Sequence, residues 1–201
     1  MKAHWKYLKY VLRHKWFVFL ECLTLGVPLW IALLHDWDKF MPDEWIPYAR
    51  YFYGNFPKRD SKEVQSAKVA VGLFLYTRED VERDFAYAWM NHQHRNQHHW
   101  QYWLNAGTRP LPLTNVLVWD RGTASILIDH AVYDWDGEIS VRGPMPDVYR
   151  REMLADWRGA GRAGGTPDTK AWYIKNRENI RLHPETRAWI EQRLGIESSL
   201  A

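Results

Sequence analysis

Leu34-His35-Asp36-Trp37-Asp38-Lys39-Phe40-Met41-Pro42-Asp43 is the stretch around which the rest of the chain is organised. It places an adjacent His-Asp pair at the end of an apolar segment and follows it with a charged turn. One imidazole and one carboxylate, delivered side by side, suit a divalent ion such as zinc, iron, manganese or nickel. An HD dipeptide is common by chance, so its weight comes from the other ligand-type residues. His14 lies upstream, a histidine-dense segment (His92, His94, His98, His99) lies downstream, and Glu152 and Asp156 stand one helical turn apart further on.

Toward the N-terminus, residues 16–34 (WFVFLECLTLGVPLWIALL) are apolar apart from Glu21, and a basic stretch precedes them: Lys2, Lys6, Lys9, Arg13 and Lys15. The run is nearly long enough to span a bilayer. Gly26-Val27-Pro28 breaks it near its middle, and Glu21 in hydrocarbon would cost on the order of a few kcal/mol. The expectation is two buried helices meeting at a Gly-Pro turn, with no membrane involved. The first covers 4–25, with His14, Val18, Glu21 and Leu25 along one stripe. The second covers roughly 28–37 and delivers His35 and Asp36. Pro42 opens a third, whose Asp43 and Glu44 complement the helix dipole, and which runs through Trp45, Tyr48, Tyr51 and Phe52 to about Gly54.

Toward the C-terminus, residues 55–62 form a polar loop, and 63–76 read as a helix or as a strand at VAVGLFLY. A long helix from about Glu79 to Leu104 carries the histidines. Residues 107–143 change character: β-branched runs separated by Arg121-Gly122 and Asp136-Gly137 predict a small antiparallel β-meander inserted in the helical chain. Helices resume at Pro146 and meet a glycine-rich break (Gly159, Gly161, Gly164, Gly165). Two more close the chain, over 168–180 and from Pro184 to just before Gly195. The whole reads as one helical domain, 1–201, with 107–143 as an insertion.

Composition narrows the function. At 201 residues the chain is long enough for a real core. With 13 Trp, 11 Tyr and 7 Phe, aromatic rings fill much of that core or line a pocket that stacks on planar substrates, with Trp37, Trp45 and Tyr48 nearest the HD pair. A net charge of +3 suits an anionic substrate, and without a Lys/Arg-rich run no dedicated nucleic-acid surface is indicated. The single cysteine, Cys22, excludes an internal disulfide and fits a reducing cytoplasm. There is no phosphate-binding glycine loop followed by Lys-Ser/Thr, no GxSxG and no CxxC.

His14, His35, Asp36 and Asp156 read H…HD…D along the chain. This order resembles the HD-domain superfamily of helical metal-dependent phosphohydrolases. The resemblance implies a divalent ion held between helices by those four residues, and a Lys39 that helps hold substrate phosphate, as in HD-x-x-K. A longer resemblance rests on HKWFVFLEC, LLHDWDKFMPDEWIPYARYFYG, AWMNHQHRNQHHWQYW, MPDVYRREMLADWRGAGRA and WYIKNRENIRLHPETRAWIEQRL. By these the chain is identified as a member of a phage and bacterial family, domain of unknown function 5662, which supplies no established activity. Asp38 stands where that family's usual pattern has Ser.

The remaining candidates follow from spacing. Glu152 is one turn before Asp156, so both carboxylates face the same way, and Glu152 is an orienting residue or general base. On a continuous helix His92, Asn96 and His99 share a stripe, with His94 and His98 on another. His92 and His99 would then be about 10 Å apart along the axis, too far to share an ion easily. The expected roles are metal ligation by His14, His35, Asp36 and Asp156, and catalysis by Lys39, Glu152 and Asp38. His92, Arg95, Asn96, His98 and His99 are expected to bind phosphate or a second ion.

The expected function is a cytoplasmic (host cytoplasm if phage-encoded) metal-dependent phosphohydrolase using one or two ions (Mn, Fe, Zn, Ni, Co or Mg) on a nucleotide or other small phosphoester. The alternative is a non-catalytic phage accessory protein that binds a host factor or nucleotide, with a structural metal. Oxygenation at a di-iron centre is a third reading, since some HD-like proteins hold one.

Overall fold

The computed structural model describes residues 2–58, 61, 76–105 and 140–197, and these are mainly helical. Helix α1, Lys2–Leu25, buries Tyr7, Val11, His14, Val18 and Cys22, three or four residues apart and so on one face. Gly26, at φ 70°, ends it in the left-handed conformation that glycine adopts freely, and Val27 N–H donates to the Cys22 carbonyl at 2.9 Å.

Pro28 then opens α2, Leu29–Leu34, which turns Ile31 and Ala32 inward. This helix stops three residues before the expected 37. His35 N–H makes the last helical bond, to the Ile31 carbonyl, and Asp36 turns the chain at φ 52°. A 3-10 turn, Trp37–Phe40, leads into α3, Pro42–Tyr53, with proline at its first position as expected.

Helix α4, Arg78–Arg95, is started by a capping box between Thr77 and Asp80. It ends nine residues before the expected Leu104. Asn96 is extended, the chain turns through 97–99, and a second 3-10 turn, Trp100–Trp103, follows. Strand β1, Leu104–Asn105, pairs antiparallel with β2, Ser140–Val141, placing Leu104 opposite Val141. The body of the expected β-meander, 106–139, lies outside the described residues, as does 62–75, where the helix-or-strand choice falls.

Helix α5, Asp147–Gly164, overturns the expected glycine-rich break, running through Gly159 and Gly161 to Gly164 before Gly165 (φ 81°) stops it. Helices α6, Thr169–Asn176, and α7, Pro184–Arg193, close the described chain; α6 ends four residues short of the expected 180.

Helix α1 packs against α5, α3 and α2, and α3 in turn packs on α4. Gly159 lets α5 approach α1 closely: a Cβ there would lie 2.4 Å from Val18 Cγ2 and 2.6 Å from Val18 N. Ala155, Val18, Cys22, Val27, Ile31 and Ala32 form the core between α1, α2 and α5. That packing sets His14, the end of α2 and Asp156 around one space. The expectation of two buried helices holds only for their inner faces, since Trp16 is 58% and Trp30 65% exposed. Among the described residues, no helix is long and apolar enough to cross a membrane.

Candidate metal centre

Asp36 sits at the meeting point of every element near the site. Its left-handed backbone, which aspartate tolerates better than most residues, aims a 2% exposed carboxylate inward. The two oxygens face different ligand sets. Oδ2 lies 3.1 Å from His14 Nε2 and 3.4 Å from His35 Nε2. Asp156 Oδ1 completes this first set, 3.3 Å from His14 Nε2 and 3.4 Å from His35 Nε2. Oδ1 of Asp36 lies 3.4 Å from His92 Nε2 and 3.3 Å from His98 Nε2. His99 joins this second set, whose ligand atoms all lie within 4.8 Å of one another, as do those of the first.

The donor atoms fit a metal. His35 Nε2, His98 Nε2, His99 Nε2 and Asp36 Oδ1 are buried and have no hydrogen-bond partner. Buried polar atoms seldom go unpaired, and three imidazole nitrogens grouped with an unpaired oxygen of the carboxylate they share mark space for a cation. Imidazole with carboxylate suits Zn, Fe, Mn, Co or Ni better than Mg, which prefers oxygen ligands alone.

Behind the imidazoles stands a second ring of carboxylates. Glu152 Oε1 lies 2.9 Å from His35 Nδ1 and 3.5 Å from His98 Nδ1. Glu44 Oε2 and Asp38 Oδ2 lie 3.0 and 3.2 Å from His92 Nδ1. The Asn96 amide donates to Asp38 Oδ2 at 2.5 Å. When Nδ1–H donates to such a carboxylate, the Nε2 lone pair is left facing the centre. Between the two sets lies Lys39, 8% exposed, with Nζ 2.7 Å from Asp36 Oδ2 and 3.0 Å from His92 Nε2.

Charge balance explains the titration behaviour. Burial pushes the Asp36 carboxyl up, but His35 and Lys39 outweigh it and hold the group well below the carboxylate range. Asp156 is also lowered, burial being outweighed by His35 and His14. Burial opposes the charged form of His35, yet Asp36, Asp156 and Glu152 together raise it well above its ordinary value. Burial and Lys39 likewise oppose protonated His92, but Asp36 and Asp38 carry it up to about 10. His14 and His99 are lowered, chiefly by burial.

The structure brings His14, His35, Asp36 and Asp156 together as one set, with Lys39 at their edge and Glu152 and Asp38 behind the imidazoles. It also corrects the stripe expected on a continuous helix. Because α4 ends at Arg95, the following turn carries His98 and His99 back to His92, and all three face Asp36. Asn96 serves Asp38 and His92. Arg95 does not converge: its guanidinium pairs with Asp43 at 3.0 Å and Glu44 at 3.2 Å on the outer side. Of the aromatic residues expected to stack on a base, Tyr48 is buried against Phe85 and Tyr7, Trp45 packs on Tyr7 and Phe40, and Trp37 is 57% exposed. Sequence reasoning missed Glu44, fully buried behind His92. Its one signal was its place a turn before Tyr48, on the inward stripe of α3.

A family model described as a family of unknown function (DUF5662) matches residues 3–196, nearly the whole chain. No curated protein and no solved structure matches it.

Proposed function

The chain belongs to DUF5662, a family of unknown function, and on that premise we propose that it is a metal-dependent phosphohydrolase of HD type acting on a nucleotide or other small phosphoester. The observation that carries this reading is the Asp36 carboxylate, one oxygen toward His14, His35 and Asp156 and the other toward His92, His98 and His99. The first set would hold one divalent ion and the second set another. Bound there, such ions acidify a water and polarise a phosphoryl oxygen.

The residues around them do the rest. Glu152 fixes the tautomer and orientation of His35, which favours its reading as an orienting group over that of general base. Asp38 does the same for His92, and the buried Glu44 carboxylate beside the same nitrogen adds charge that favours Nδ1–H. The Lys39 ammonium stands at the seam of the two sets, where it offsets the negative charge of a phosphoryl group. Lys39 also balances the buried Asp36 carboxylate at 2.7 Å, and its place at the seam of both sets supports catalysis over the accessory-protein reading.

The test is phosphate release from a panel of nucleotides and simple phosphoesters by the chain loaded in turn with Mn, Fe, Co, Ni, Zn or Mg. Turnover with at least one metal is expected, together with a fall of about a hundredfold or more in Lys39→Ala at unchanged metal content. A fully loaded chain that hydrolyses nothing would return the accessory-protein reading.

A further inference from the structure

The metal centre makes no use of the outer face of α1 and α2. On α1, Trp5, Leu12, Trp16 and Leu23 are all exposed. At helical spacing they fall within about 40° of one another and form a single stripe. Phe19 stacks on Trp16 with centroids 6.2 Å apart, and it also packs against the cluster that contains Ile31 and Ala32. The stripe therefore runs on toward α2, where Leu29, Trp30, Leu33 and Leu34 are exposed, and Trp37 follows.

The other edge of the stripe is basic. Lys9, Lys2, Arg13 and Lys6 follow within about the next 80° of α1. Among the described residues no carboxylate pairs with these four. The one acidic residue of α1, Glu21, is held by Arg162 at 2.7 Å. The Lys9 ammonium lies 5.3 Å over the Trp5 ring, so cation and indole already share one patch.

We propose that this face docks on the surface of an anionic lipid bilayer, with α1 and α2 lying in the plane of the interface. Indole rings favour the headgroup depth, where the ring is buried and its N–H stays wet. Lysine and arginine beside them reach lipid phosphates while their stems cover apolar surface. An antiparallel two-fold pairing of copies through the same face would set one basic row beside the other, which like charges oppose.

The experiment is cosedimentation of the full chain with vesicles of phosphatidylcholine alone and of phosphatidylcholine with roughly one third phosphatidylserine. Binding to the mixed vesicles is expected, weakening as salt is raised. Trp30→Asp with Leu33→Asp should cut partitioning to both vesicle types by about tenfold or more. Lys6→Glu with Lys9→Glu should cut it by at least about fivefold per charge on anionic vesicles only. All four positions are exposed, so helical circular dichroism and metal content should stay as in the parent chain. Failure of the parent chain to bind, or binding that neither variant weakens, would overturn the proposal. So would a dimer in sedimentation velocity that Trp30→Asp dissociates, since a second copy would then own the face.

Discussion

Asp36 holds a left-handed backbone that asparagine also tolerates, so Asp36→Asn keeps the turn while removing the charge. Its helical circular dichroism should match the parent, and its affinity for divalent ions should fall in both sets. The residues behind the imidazoles should act through the rings they touch. Glu44→Gln should weaken only the ion held through His92, by about 10–100-fold in chelator competition, whereas Glu152→Gln, behind both His35 and His98, should weaken both. Equal losses for both ions in Glu44→Gln would contradict the assignment of one set to each. The convergence of His14, His35, Asp36 and Asp156 was legible in the sequence through the H…HD…D order that resembles the HD superfamily. Glu44 was not, because a carboxylate in a first helical turn reads as a partner of the dipole and its burial comes from packing. Arg95 was misplaced because a cation beside histidines suggests phosphate, whereas Asp43 and Glu44 hold it outward.

Element ends decided what the periodic pattern could not. Hydrophobic spacing found α1 and α3 because each buries one stripe, whereas α5 buries Glu152 through Asp156 in succession and was marked instead by the proline at its start. It overran α4, since Arg95-Asn96-Gln97 holds neither glycine nor proline, and the reversal that unites His92, His98 and His99 left no local signal. It also broke α5 at glycines that serve contact. Gly159 meets Val18 too closely for a side chain, so Gly159→Ala should destabilise the fold by about 1–3 kcal/mol in urea unfolding. Because α1 carries His14 and α5 carries Asp156, the same change should weaken the first ion more than the second. Thr77→Ala, which removes the α4 cap, should cost about 1 kcal/mol and leave the affinity of the first ion unchanged. If Gly159→Ala proves as mild as a surface change, the close approach of α1 and α5 is wrong.

Across the whole molecule, protons would compete with the proposed metal ions for the same imidazoles. In the chelator-treated chain His35 and His92 are raised, so the stability they add is full below the unfolded value of about 6.5 and is lost as pH rises, for His92 through about 10. His14 and His99 are lowered and act only below about 6.5, in the opposite sense. The urea midpoint of the metal-free chain should therefore fall between about pH 7 and 10, and that of the loaded chain, with no imidazole proton to lose, should fall less, only where the buried Cys22 thiol and tyrosines begin to ionise on unfolding. Parallel curves would contradict this charge balance. The mainly helical class was legible in the sequence at this scale; the closeness of two ligand sets was not, because it depends on four helices meeting at one carboxylate. The most direct measurement is metal per chain by elemental analysis of purified, reloaded protein. Two divalent ions are expected in the parent, one in Asp156→Ala, one in His98→Ala with His99→Ala, and none in Asp36→Ala. Retention of both ions by Asp36→Ala, or no bound ion in the parent, would contradict a centre built on that carboxylate.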